Sequence, residues 1–383
     1  VNTIEDIRYI VSDGGQGDNP MVRAFARQGG KNWLYYRDDA GLDTIIRGLE
    51  RDGVESKRVV ILKEFKGRFF QKCPGSPGMI CCNYLVMNTC FNCLYNCSYC
   101  FLNSYLNSYG IMQFTNTGVL REELNKFIQS SSREMVYRVG TGEFTDSLMF
   151  DEVTGIAPDL IAETAPHENI MLELKTKSRN IDHLLGIADK GNTVISWTLG
   201  PERNICLYEE GTATLAERLS AAVEAAGSGY SVAFHFDPII LYDGWKRDYE
   251  TLLERLFGEV DPSIIPWISL GGFRYAPAFR DALKSGSPGQ DLTLGEMFPG
   301  QDGKIRYFKP RRVEMYKFLL DHMARYTSQP FIYLCMESSG VWFETMGRNY
   351  SSSDDLERDF SDSMKMFLKR KNINRVRKHE CQK

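Results

Sequence analysis

Residues 85–100 decide how this chain is read: Leu85-Val86-Met87-Asn88-Thr89-Cys90-Phe91-Asn92-Cys93-Leu94-Tyr95-Asn96-Cys97-Ser98-Tyr99-Cys100. Leu85–Met87 is a short apolar run of strand character, and Cys93, Cys97 and Cys100 follow it as CxxxCxxC. Three thiolates at this spacing can hold three irons of a [4Fe–4S] cube and leave the fourth iron open. A zinc site would more often pair CxxC units or add histidines at matched spacing. The histidines here, His167, His183, His235, His322 and His379, all lie outside the array. Zinc and chemically inert cysteines remain the alternative readings. The array also sits just after a strand, and active-site loops of parallel α/β domains gather at strand C-termini.

Outward from this stretch, apolar runs alternate with helical patterns. Strands are expected at Leu85–Met87, Met135–Gly140, Ile170–Leu174, Thr193–Leu199, Ser231–Phe236 and Ile265–Leu270. Helices are expected at Arg121–Gln129, Pro158–Ala165, Asn180–Ala188, Leu215–Ala226 and Gly244–Phe257. A helix at Arg312–Tyr326 and a strand at Phe331–Met336 follow. Such an alternation predicts a parallel sheet with crossover helices, either open or a partial barrel. Upstream, Met21–Arg27 and Leu42–Asp52 read as helices and Val59–Leu62 as a strand. The expected division is an α/β region over 1–82, a main domain over 83–340, and a polar extension over 341–383. The end, from Met364, reads as polar, basic and frayed.

The chain has 383 residues, 43% of them hydrophobic, which is ample for a large core. Its 46 Lys and Arg against 50 Asp and Glu weigh against a protein whose main task is coating nucleic acid. Arg306–Arg312 and Lys365–Arg377 are local basic clusters that could form a groove, or simply solvated faces. No apolar run is long enough to span a membrane, and the first residues lack the pattern of a signal peptide. A cytoplasmic monomer is the expectation. Seven of the ten cysteines fall between Cys73 and Cys100, a density that points to metal or redox chemistry. Cys335, in an apolar run, reads as core.

The array Cys93-x-x-x-Cys97-x-x-Cys100 resembles the signature of radical S-adenosylmethionine enzymes. Further segments resemble the spore photoproduct lyase-like family: Cys73-Pro74-Gly75, Cys81-Cys82-Asn83-Tyr84, Arg138 to Glu143, Leu172 to Lys177, and Phe234 to Pro238. The resemblance covers residues 60–340. It implies a partial (β/α)6 barrel, a [4Fe–4S] cluster and S-adenosyl-L-methionine. It also implies a reducing partner such as flavodoxin or ferredoxin, and damaged DNA as substrate, with radical chemistry on a small molecule, RNA or a peptide as the alternative. A non-catalytic iron–sulfur protein, redox-sensing or nucleic-acid-binding, is the reading from another class.

On this resemblance Cys93, Cys97 and Cys100 are the metal ligands, and Tyr99 takes the aromatic position beside the adenine. Gly140, Thr141, Gly142 and Glu143 resemble the Gly-Gly-Glu segment, with Glu143 as a carboxylate for the methionine ammonium. Lys175 or Lys177 would meet the carboxylate or a ribose oxygen, and Ser196 and Thr198 the ribose. His235 and Asp237 share a strand face and could position substrate or pass protons. Ser269, Arg274, Tyr275 and Glu337 are weaker substrate-facing candidates. The family's hydrogen-donating cysteine falls at Glu143, and the second tyrosine of its relay at Phe101. Cys82 or Cys90 is then a candidate radical quencher.

Overall fold

The computed structural model of the chain describes residues 1–106, 108–283 and 289–381. Its main sheet has eight strands in sequential order: β1 (Phe70–Lys72), β2 (Leu85–Met87), β3 (Tyr137–Gly140), β4 (Ile170–Thr176), β5 (Val194–Thr198), β6 (Ser231–Ile239), β7 (Trp267–Gly272) and β8 (Phe331–Leu334). The strands β2 to β8 pair in parallel; β1 runs antiparallel on the edge. Sequential parallel order follows when each strand is followed by a crossover that returns on one face. Helices at Thr117–Ser130, Ile156–Thr164, Leu215–Gly227, Trp245–Glu259 and Lys309–Met323 supply most of these returns. The helix at Leu215 starts where Thr214 caps Glu217 N–H and Glu217 reaches back to Thr214 N–H. The outward side chains Val139, Leu172, Leu174, Ile195, Trp197, Phe234, Ile268 and Leu270 are all fully buried.

The sheet curls into an open half-barrel. Arg138 on β3 donates to the Tyr333 hydroxyl on β8 at 2.7 Å. Five strand spacings of about 4.8 Å would hold these strands roughly 24 Å apart in a flat sheet. The open side is crossed by residues 73–83, a strap whose Ile80 N–H bonds Glu337 C=O at 2.8 Å. This is the partial (β/α)6 barrel architecture expected from the resemblance, with a seventh parallel strand at one edge and an antiparallel strand at the other.

A smaller sheet orders Asn32–Tyr36, Tyr9–Asp13, Val59–Lys63, Ile111–Phe114 and Cys90–Phe91, the last antiparallel. Tyr9–Asp13 and Asn32–Tyr36 were not foreseen, because Gly and charged residues around them hide two short strands. The Asn180–Ala188 pattern yields only a short helix, Asp182–Leu185. The C-terminal stretch also departs from expectation. A helix runs Ser353–Cys381 and buries Leu356, Phe360, Met364 and Phe367, a stripe at helical spacing. Phe360 meets Trp267 and Phe331, and Ser361 accepts from Val136 N–H. The helix thus closes the N-terminal end of the barrel. Among the described residues, no helix is long and apolar enough to cross a membrane.

Candidate active site

The cysteine array occupies a loop held from both sides. Cys90–Phe91 anchors its start in the small sheet, and Asn96–Cys97 pairs with Glu209–Glu210 beyond β5. Asn92, in the left-handed region at φ 73°, accepts from Cys93 N–H and donates to Gly110 C=O. Asparagine tolerates that conformation better than most residues. Lys57 from the small domain donates to Tyr95 C=O. Cys97 is buried and Cys93 and Cys100 partly so, all three in one cluster. Burial pushes the Cys97 thiol up to about 11 and the Cys93 thiol higher still, the latter helped by Asp146. A soft metal cluster takes such thiols as thiolates and displaces their protons.

Beside this loop, Lys177 donates to the Tyr99 hydroxyl, and that hydroxyl donates to Glu209. Lys177 Nζ also lies 3.2 Å from Glu209 and 3.7 Å from Cys97 Sγ. Arg218 completes the group, bonding Glu209 together with the carbonyls of Thr198 and Ala213. Burial alone would raise the Glu209 carboxyl, but Arg218 and Lys177 hold it down to about 2. Glu209 and Arg218 escaped the sequence reading. Their signal is only a glutamate at a loop start and an arginine on an otherwise apolar helix face.

The glycine turn after β3 packs with no spare room. A Cβ on Gly140 would lie 2.2 Å from the Tyr84 hydroxyl, and one on Gly142 2.6 Å from Lys175 Cβ. Ser147 pins the turn to β4 by bonding both Lys175 N–H and Thr141 Oγ1. Glu143 then stands 3.9 Å from Lys175 Nζ, a loose pair. Glu143 and Glu173 keep the Lys175 ammonium charged against the effect of burial. Ser196, the register partner of Lys175, is fully buried and its Oγ has no protein partner. A three-thiol loop, a crowded glycine turn and an orphaned hydroxyl are what a cluster with an adenosyl ligand requires of its surroundings.

Below these groups lies a buried polar layer. Arg138 bonds the Tyr333 hydroxyl and, at 2.8 Å, Cys82 Sγ, and pairs with Glu173 at 3.8 Å. His235 Nε2 bonds Glu173 at 2.7 Å. Burial would raise the Glu173 carboxyl, yet His235 and Arg138 hold it well below its ordinary value. Burial lowers the His235 ring in spite of Glu173, and its Nε2 stays bonded to that carboxylate. Thr198, His235, Ser269 and Tyr333 form one row across β5 to β8. Arg138 and Glu173 were quoted in the resemblance but given no role. The signal was a lone charge inside an apolar strand.

At the C-terminal mouth, Asp237 forms a fork with Arg274 at 3.2 Å, and Arg274 reaches Cys335 Sγ at 3.4 Å. Cys335 is therefore not core, as its apolar run suggested. The run ends with Leu334, and Cys335 turns inward, two residues above Tyr333 and partly exposed. Cys90 lies in the small domain's core. Tyr275 packs with Phe273 and Phe279 in a satellite core, and Glu337 holds Arg312 and Tyr316. Each basic residue of the Arg306–Arg312 cluster has a carboxylate partner, in buried pairs for Arg306 and Arg312 and in exposed ones for Lys309 and Arg311. Arg306 pairs with Asp302, Lys309 with Glu344, Arg311 with Glu314 and Arg312 with Glu337. Of Lys365–Arg377, side chains beyond residue 373 lie outside the described residues; Lys371 bonds Ser231 at the barrel's opposite end.

The family model for spore photoproduct lyase matches residues 81–296. Spore photoproduct lyase of Bacillus subtilis is 27% identical over 146 residues, 38% of this chain and 42% of that protein. The Clostridium acetobutylicum protein of the same name is 29% identical over 111 residues, 29% of this chain and 33% of that protein. These alignments span less than half the length of the relatives. A cysteine-to-alanine variant of spore photoproduct lyase with dinucleoside spore photoproduct superposes with a TM-score of 0.75 at 20% identity, over 86% of this chain and 98% of that one. A double variant with bound AdoMet and the same dinucleoside gives 0.72 at 18%, with the same coverage. With more than half of its length matched by the family model, the chain belongs to the spore photoproduct lyase family of radical S-adenosylmethionine proteins.

Proposed function

We propose that the chain is a radical S-adenosylmethionine enzyme that acts on a thymine photoproduct of DNA, drawing its electron from a flavodoxin- or ferredoxin-type donor. The observation that carries the reading is the three-thiol loop set beside the Gly140–Glu143 turn at the C-terminal end of a half-barrel. When bound, the reduced cluster and S-adenosylmethionine supply a 5′-deoxyadenosyl radical that removes a hydrogen atom from substrate. Cys93, Cys97 and Cys100 hold the cluster. Glu143 accepts from the methionine ammonium and Lys175 donates to its carboxylate, so a zwitterion replaces the loose 3.9 Å pair with two charge-assisted bonds. Ser196 Oγ donates to a ribose oxygen, and Tyr99, fixed by Lys177 and Glu209, flanks the adenine. Asp237 and Arg274 face the substrate from the far wall, with Cys82, His235 and Thr198 in the support beneath.

Dinucleoside spore photoproduct is bound in the related structures, and this chain offers aromatic surface for bases. Phe101, Tyr105 and Phe144 cluster near Cys100. Phe298 and Phe308 stand exposed side by side, Phe298 on a hairpin of Met297–Pro299 and Ile305–Tyr307. The test is reconstituted, reduced protein with S-adenosylmethionine and dinucleoside spore photoproduct. Release of both 5′-deoxyadenosine and the repaired thymine dinucleoside is expected. 5′-Deoxyadenosine without thymines would leave radical chemistry standing but remove the substrate. One observation favours the second reading, a small polar substrate: the basic residues of Arg306–Arg312 are all paired.

A further inference from the structure

Three cysteines outside the array, Cys73, Cys82 and Cys335, gather at the open side of the barrel, Cys73 and Cys82 in the same apolar cluster as Cys93 and Cys100. The strap of residues 73–83 carries Cys73 and Cys82 across the open side of the barrel to the end of β8, where Cys335 faces inward. Their fields reach one another: Cys82 and Cys73 both act on Cys335, and Cys82 acts on Cys73. They are not equivalent. Cys82 Sγ is engaged by Arg138 in the buried layer. Cys73 sits on the strap toward Glu143. Cys335 lies at the mouth, partly exposed, its sulfur lodged against Arg274 and beside Asp237. The Tyr84 hydroxyl, buried and without a protein partner, lies over the Gly140 turn.

We propose that Cys335 is the catalytic hydrogen-atom donor of this chain, transferring its S–H hydrogen to the carbon radical of the substrate. The inference rests on the radical reading above. Burial, then Asp237, push the Cys335 thiol well up, so it keeps its hydrogen at neutral pH. An S–H bond is weaker than a C–H bond, so the transfer runs downhill. The S–H bond breaks, a C–H bond forms, and the unpaired electron moves to sulfur without change of charge. The thiyl radical returns to thiol with one electron from the flavodoxin- or ferredoxin-type donor and one proton from solvent. Arg274 and Asp237 fix the position of the sulfur.

Reduced, cluster-loaded full-length protein is turned over in D2O with S-adenosylmethionine and dinucleoside spore photoproduct. The exchangeable S–D is expected to deliver one deuterium to the product. Cys335→Ser should lower that label at least tenfold while 5′-deoxyadenosine still forms. Unchanged label in Cys335→Ser, or loss of label in Cys73→Ser instead, overturns the assignment. If 5′-deoxyadenosine forms and the dinucleoside is untouched, the substrate reading fails on its own. No 5′-deoxyadenosine from a reduced cluster sinks the radical reading and this one together. A readout without turnover is alkylation of the folded apo-protein by iodoacetamide. Cys206, which is exposed, should react at neutral pH, and Cys335, held as the unreactive thiol, only as the pH is raised; a Cys335 that reacts as fast as Cys206 at neutral pH is a thiolate there and overturns the proposal.

Discussion

Replacing Arg138 by Met tests whether the half-barrel is held curled from within. Arg138 joins β3 to β8 through Tyr333, binds Cys82 on the strap, and pairs with Glu173. Its guanidinium also lies 4.8–5.2 Å from the ring centres of Tyr84, Trp267, Tyr333 and Phe360. Met keeps apolar volume against those rings and removes the charge and the fork. Breaking one side of a buried pair costs about 3–5 kcal/mol, because the partner is left uncompensated. Glu173 keeps His235, which places the loss toward the lower end. An unfolding entropy of about 2.1 cal/mol/K per residue gives roughly 0.8 kcal/mol/K for a chain of this length. The melting temperature of Arg138→Met should therefore fall by about 4–5 °C. Hydrogen exchange should rise first in β8 and residues 73–83, the segments Arg138 ties down. Calorimetry with exchange mass spectrometry reads both. A melting temperature within about 1 °C of the parent, with β8 protection unchanged, would refute the idea that this residue closes the barrel.

Glu143→Gln should weaken S-adenosylmethionine binding to the cluster-loaded protein by about 10- to 100-fold, the worth of one charge-assisted hydrogen bond; equilibrium dialysis giving an unchanged Kd would remove Glu143 from the site. Asp237 is held below its ordinary value by Arg274 in spite of burial. Its contribution is thus present above its unfolded pKa of about 3.9 and is lost as pH falls through the lower folded value. The stability gap between wild-type apo-protein and Asp237→Asn should be widest at neutral pH and narrow below about pH 4; a gap constant from neutral to acid pH would show that the pair adds nothing. Because Arg306 and Arg312 are committed to buried pairs and only the exposed Lys309 and Arg311 pairs can open onto phosphates, binding of a DNA duplex should depend weakly on salt, with a slope shallower than about −2 in log K against log salt. A slope steeper than about −5 would mean those pairs open onto phosphates.

What could be read from the sequence was whatever is local. The array states its chemistry in eight residues, and the alternation after it gave each parallel strand of the main sheet from Leu85 onward to within a few residues. Missed were the edge strand Phe70–Lys72, the strand Ile111–Phe114 of the smaller sheet, and short pieces such as Met297–Pro299 and Ile305–Tyr307. Local pattern failed where an element depends on distant partners. Tyr9–Asp13 and Asn32–Tyr36 are strands because Val59–Lys63 lies beside Tyr9–Asp13, which in turn pairs with Asn32–Tyr36. The C-terminal helix looks polar, since the stripe Leu356, Phe360, Met364 and Phe367 is diluted by charges on its other faces.

The same distinction governs the site. Gly140 to Glu143 and Lys175 were legible because the turn and the strand end are contiguous motifs. Arg138 was not, although it stands two residues from Gly140. A charge inside a strand acquires meaning only from what faces it, and its partners Tyr333, Cys82 and Glu173 come from three other segments. Cys335 carried the opposite error: its apolar neighbours in β8 pointed to core, but a strand side chain belongs to one face, and the inner face changes from buried to open where the strand ends. The basic run Arg306–Arg312 likewise reads as a phosphate surface until Asp302, Glu314, Glu337 and Glu344 are placed beside it. A basic cluster in sequence counts charges, whereas binding depends on charges not already spent on a neighbour. Within Arg306–Arg312, Arg306 and Arg312 are committed to buried pairs, whereas Lys309 and Arg311 stand in exposed pairs that hold their charges only weakly.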